Sequence, residues 1–202
     1  MQKSYEIDSD PEVRDSLFRE CDNRYRDIIA KNINKSHDPY KVGKYKFKLF
    51  MKTDYVKSWQ EKIRNSSISA SFAMYKMNYE FEPYLEHVTI KKHRNSLAKL
   101  RLSDHSLGIH TGRQTRPRTP PELRFCKKCP GTIEDEAHFL CECTDDSNIK
   151  SEFFKAIAMS YPDIDNIANK QMKYKFIMKI KDPTSLKSLG FLVNLLFKNR
   201  DQ

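Results

Sequence analysis

The sequence predicts a mainly α-helical domain that carries an inserted C2HC zinc-knuckle-like module and ends in a C-terminal helical tail. Three observations support this. Apolar residues recur at helical spacing behind Asp-Pro start signals, at Asp10-Pro11 and again at Asp182-Pro183. Glycine is scarce, five residues in 202, which disfavours an all-β fold with many tight turns. Cys126, Cys129, Cys141 and Cys143 crowd into one short polar segment around His138.

The length suits one sizeable domain or two small ones. Charged residues make up 32% of the chain and the mean hydropathy is −0.77, yet twelve Phe and ten Tyr supply enough apolar anchors to exclude wholesale disorder. No segment approaches the roughly 20 apolar residues of a membrane span. The opening MQKSYEIDSDPEVRD is acidic and lacks the apolar stretch of a signal peptide. The expectation is an intracellular protein of nucleus or cytoplasm, with no membrane partner and with reduced thiols.

Four regions follow in order: an N-terminal helix and loop (1–44), a basic helical region (45–121), a knuckle-like module (122–146) and a C-terminal helical region (147–202). Val13, Leu17, Cys21 and Ile28 predict a helix over 11–33, with Cys21 as a small buried hydrophobe. Asp38-Pro39 and Gly43 mark a loop. Phe47, Phe50, Val56, Trp59 and Ile63 predict a helix over 46–65. Residues 68–82 hold no clean period. Pro83, Leu85 and Val88 suggest a short helix, and Ile90, Leu97 and Leu100 another over 90–104, whose polar side carries Lys91, Lys92, Arg94, Lys99 and Arg101. Gly108 to Pro121 is a polar loop, either a flexible arm or a segment ordered by a phosphate backbone. Beyond the cysteines, Ser147 caps a helix through Phe153 and Ile157 that Pro162 stops. Asp165 opens another with Met172 and Phe176, and Asp182-Pro183 opens the last, with Leu186, Leu189, Leu192, Val193 and Leu196.

Cys126-x2-Cys129 can aim two thiolates at one ion, and His138-x4-Cys143 can supply two further ligands. Thiolate and imidazole are the ligands of structural Zn²⁺, and four protein ligands leave no position open for water, so the expected cofactor is a structural zinc. His138-x2-Cys141 is a geometric alternative for the second pair. Glu134-Asp135-Glu136 reads as the acidic first turn of a helix, one member of which could orient His138. Asp145-Asp146 reads as a cap or solvated turn. No P-loop, G-x-G-x-x-G or G-x-S-x-G is present, so no catalytic residue is expected.

Charge is concentrated. Eleven cations (Lys91, Lys92, Arg94, Lys99, Arg101, Arg113, Arg116, Arg118, Arg124, Lys127 and Lys128) face only Asp104 and Glu122, a net +9 of the chain's +10. A contiguous field of that sign suits RNA or DNA.

From Trp59 to Cys143 the chain resembles the C-terminal region of LINE-type (non-LTR) retrotransposon reverse transcriptases. The residues that carry the likeness are Trp59-Gln60-Glu61, Glu82, Tyr84-Leu85, Leu100-Arg101-Leu102-Ser103, His105, Leu107, Ile109 and Gly112-Arg113. They continue through Arg124, Cys126, Cys129, Glu134-Asp135-Glu136, His138-Phe139-Leu140 and Cys143. The resemblance implies a zinc-binding-like module downstream of a polymerase domain, Cys143 as fourth ligand, and a role in holding template or target. Thr144, where the family commonly has proline, and His110-Thr111 depart from its pattern. Polymerase and endonuclease motifs are missing, so the expected function is non-catalytic nucleic-acid binding. The alternative is a zinc-stabilised interaction scaffold that docks a polymerase domain or another protein through its C-terminal amphipathic helix, 186–197.

Overall fold

A computed structural model describes residues 44–66, 70–76 and 78–200, with side chains from residue 51 onward. The helix expected over 11–33, Cys21 and the loop ending near residue 44 lie outside the described residues. The chain divides into two compact units, Met1–Ser58 and Trp59–Gln202.

The helices are α1 (Lys44–Asn65), α2 (Ala70–Ala73), α3 (Pro83–His87), α4 (Lys91–Arg101), α5 (Gly108–Thr111), α6 (Ser147–Ser160), α7 (Lys170–Met178) and α8 (Pro183–Arg200). Among the described residues there is no β-strand, and an isolated antiparallel bridge pairs Phe125 with Ile133. The mainly helical expectation holds.

The last helix is the core of the second unit. Asp182 accepts a hydrogen bond from the Ser185 backbone N–H at 2.7 Å, satisfying one of the orphan donors at the start of α8. Leu186, Leu189, Leu192, Val193 and Leu196 are all buried, and α3, α4 and α6 pack around them. Gly190 permits the close approach of α3 and α4: a Cβ there would sit 2.9 Å from Cγ1 of Val88. Asn194 of α8 donates to Ser96 of α4 at 3.0 Å. The expected tail is thus the central pillar, and its apolar stripe is spent on the chain's own core.

Several details differ from the sequence reading. Tyr84 of α3 and Val88 at its C-cap point inward, while Leu85 is exposed. Asp165 lies in a 3-10 turn, Pro162–Asn166, and α7 begins later, where Asn169 accepts from the Met172 N–H at 3.0 Å. Asp146, not Ser147, is the N-cap of α6; its left-handed φ of 56° turns the chain into the helix.

The knuckle-like segment is not a separate body. Ala137, Phe139 and Leu140 belong to the same buried cluster as Leu97, Ile157 and Tyr174, and α7 packs against residues 138–142. Phe139 stacks on Phe197 of α8 with ring centroids 5.0 Å apart.

Candidate metal centre

The first half of the site is a tight hairpin. The Cys126 N–H donates to the Thr132 carbonyl at 2.8 Å and the Thr132 N–H to the Cys129 carbonyl at 3.2 Å. Gly131 makes the return, at a φ of 78° that glycine adopts without a Cβ penalty. Alternation along this extended segment places Arg124 and Cys126 inward and Phe125 outward.

The second half is a π-helical turn, His138–Glu142, closed by the Cys143 N–H on the His138 carbonyl at 2.8 Å. In a regular α-helix, residues five apart point about 140° away from each other, so H-x4-C would miss. The wider turn, followed by an extended Cys143 (φ −53°, ψ 130°), brings both side chains to one point.

One ligand atom from each of Cys126, Cys129, His138 and Cys143 lies within 4.8 Å of every other. The Cys143 sulfur is 3.8 Å from that of Cys126 and 3.9 Å from that of Cys129. A tetrahedron with metal–sulfur bonds of about 2.3 Å sets its sulfurs about 3.8 Å apart, so the thiols already stand at coordinating separation. His138 is 2% exposed and both its ring nitrogens are buried without a hydrogen-bond partner; a metal–nitrogen bond would satisfy one of them. The four residues could therefore hold a metal ion.

Cys141 packs against the apolar core, where burial pushes its thiol up to about 12. It stands outside the four. Burial likewise pushes the Cys143 thiol up to about 12, whereas the Thr144 hydroxyl, 3.4 Å away, lowers that of Cys129. A bound cation would draw protons from both.

The acidic triplet holds the fold together. Glu134 accepts from the Gly108 N–H at 2.6 Å and pairs with Arg200 at the end of α8. Glu136 accepts from Ser103 at 2.5 Å and lies 3.1 Å from Nε2 of His105. Asp135 caps the π-turn through the His138 N–H at 2.6 Å and accepts from Gln171 at 2.9 Å. None of the three orients the His138 ring; the carboxylate near it is Glu142, 3.8 Å from Nδ1.

The expected polyanion-facing set divides in two. Lys91, Lys92, Lys99, Arg116, Arg118, Lys127 and Lys128 are exposed. Arg101 is not on a polar face. It is 4% exposed, donates to the Met178 carbonyl at 2.9 Å, pairs with Glu82 at 2.5 Å and lies over the Tyr75 ring at 4.6 Å. Arg124 is buried too. Its Nε donates to the Thr119 carbonyl at 2.9 Å and its Nη1 to that of Ile109 at 2.8 Å. The segment from Gly108 to Pro121, expected to be a loop throughout, opens with the helical turn α5 and is ordered by the chain's own groups. Arg113 and Arg94 are half-buried, the latter donating to the Val88 carbonyl at 3.2 Å.

Sequence reasoning missed Lys150. Lys150 is 5% exposed, and its ammonium donates to the carbonyls of Cys143 at 3.0 Å and Asp145 at 2.7 Å, fixing the backbone at Cys143 and setting a cation beside the thiols. The available signal was a lysine one residue after Ile149 and three before Phe153, on the apolar stripe of α6.

Fold and site together define a helical protein with a Cys3His cluster able to hold a metal. The chain matches no protein-family model, no curated protein and no solved structure.

Proposed function

We propose that this chain is a non-catalytic nucleic-acid-binding module folded around a structural Zn²⁺. It is comparable with the region downstream of the polymerase domain in LINE-type reverse transcriptases. The observation that carries the reading is the adjacency of the Cys3His cluster to exposed cations: Lys127 and Lys128 form the tip of the Cys126–Cys129 hairpin. Three sulfurs and one imidazole favour zinc over the oxygen-seeking cations. Four filled positions assign the ion to folding and leave phosphate binding to the lysines and arginines.

Two measurements test this. Metal analysis of purified protein is expected to give about one zinc per chain, and Cys126→Ser is expected to lose the metal and the fold with it. With about seven exposed cations available, log affinity for RNA or DNA should fall with log salt with a slope on the order of −5. Affinity independent of salt, or absent for single- and double-stranded probes alike, refutes the binding half.

A second reading, an interaction scaffold, is favoured by one feature. An apolar groove of about 630 Å³ runs between α4, α6 and α8, lined by Val88, Phe153 and Leu192, with Ile90 and Phe191 half exposed at its rim. Removing α8 does not test it, because α8 is the core. Phe191→Ala does: lost partner capture with nucleic-acid binding intact would favour the scaffold.

A further inference from the structure

We propose that Phe125 is a stacking platform for an unpaired base, which makes single-stranded polynucleotide the preferred ligand of the module. This rests on the nucleic-acid reading above and specifies its ligand.

Phe125 is 46% exposed, although it sits between buried Arg124 and buried Cys126. Its backbone is pinned on both sides, by the bridge to Ile133 and by the Cys126 N–H bond to Thr132. The ring is thus held outward by a rigid hairpin, with little ordering left to lose on binding. It lines a crevice of about 500 Å³. Lys127, Lys128, Thr115 and Thr119 line the same crevice. Both lysines are exposed, and Lys128 reaches Asp145 only at 3.9 Å.

An aromatic face beside exposed cations matches a nucleotide: ring to base and ammonium to phosphate. A duplex hides its base faces in its own stack, so the ring gains from a splayed base and nothing comparable from paired ones. Lys127 and Lys128 serve both forms through phosphate, so the ring alone creates the preference. Ribose and deoxyribose strands present the same base face, and the comparison between them reads any contribution from the 2′-hydroxyl.

The test uses the full zinc-loaded chain and twelve-nucleotide probes: single-stranded RNA, single-stranded DNA, the matching duplex, and a strand with abasic sites. Phe125→Ala is expected to weaken single-strand binding about fivefold to 150-fold, the range for one lost base–aromatic stack. Duplex binding should change less than twofold, and the abasic strand should bind both proteins equally. Phe125→Leu keeps the apolar bulk without the aromatic face and should behave like Phe125→Ala, whereas Phe125→Trp should retain affinity. Zinc content and circular dichroism verify folding, and Phe125→Leu decides if Phe125→Ala is misfolded. If both variants bind single strands as tightly as the parent while Lys127→Ala/Lys128→Ala binds weakly, the stacking assignment is wrong and the charge reading stands. If the parent binds no probe, both fall.

Discussion

Removing the Arg101 guanidinium would leave the Glu82 carboxylate, itself largely buried, with Lys76 at 2.6 Å as its remaining counter-ion. Arg101→Ala should therefore cost about 3 kcal/mol of stability, near the lower end for breaking a buried pair, read by denaturant unfolding. Nucleic-acid affinity per folded molecule should not change. Cys143→Ser should abolish metal binding while Cys141→Ser keeps about one ion per chain, measured by metal analysis. Burial and the neighbouring Lys92 hold the His93 imidazole below its ordinary range. Neutral His93 thus contributes stability present above the unfolded value of about 6.5 and lost as pH falls towards the lowered folded value. His93→Gln should flatten the fall in melting temperature between pH 7 and pH 5. At this scale the sequence marked the four residues that could hold a metal, because thiol and imidazole spacing is local. It misplaced Arg101 and Arg124 because what decides an arginine's role is the partner: Arg101 is satisfied by residues 19 and 77 positions away.

Helix α8 was legible from Asp182-Pro183 and its leucines, since cap and period both lie within a few residues. What it packs against was not, because amphipathicity names a face without naming what covers it. Leu189→Ala should cost about 2–5 kcal/mol, as for other fully buried leucines. Gly190→Ala should cost about 1–3 kcal/mol by forcing α3 and α4 away from α8, visible as a lowered urea midpoint with an unchanged slope. The late start of α7 was hidden for a different reason. Asp165 and Asn169 are both sound caps, and the 3-10 turn begun at Pro162 takes up the first. The π-turn that selects Cys143 over Cys141 leaves no period in so short a segment; the spacing favoured Cys143 while leaving Cys141 open, and the family resemblance strengthened the choice.

In the whole molecule the knuckle and the helical core are one structure, because the residues flanking His138 are core residues. Chelation should consequently lower the melting temperature of the entire second unit in one cooperative transition, which a thermal scan with and without chelator would reveal. An unchanged melt would show the metal to be dispensable. The ion pair from Arg200 to Glu134, with α8 threaded through the core, also fixes an order of events during synthesis. The segments around α8 leave the ribosome first and lack the helix they share as a core until residues 183–200 follow. A product that stops short of them exposes the faces of α3, α4 and α6 to water and to chaperones, so a chain cut just before residue 183 should fold no better than one cut far upstream.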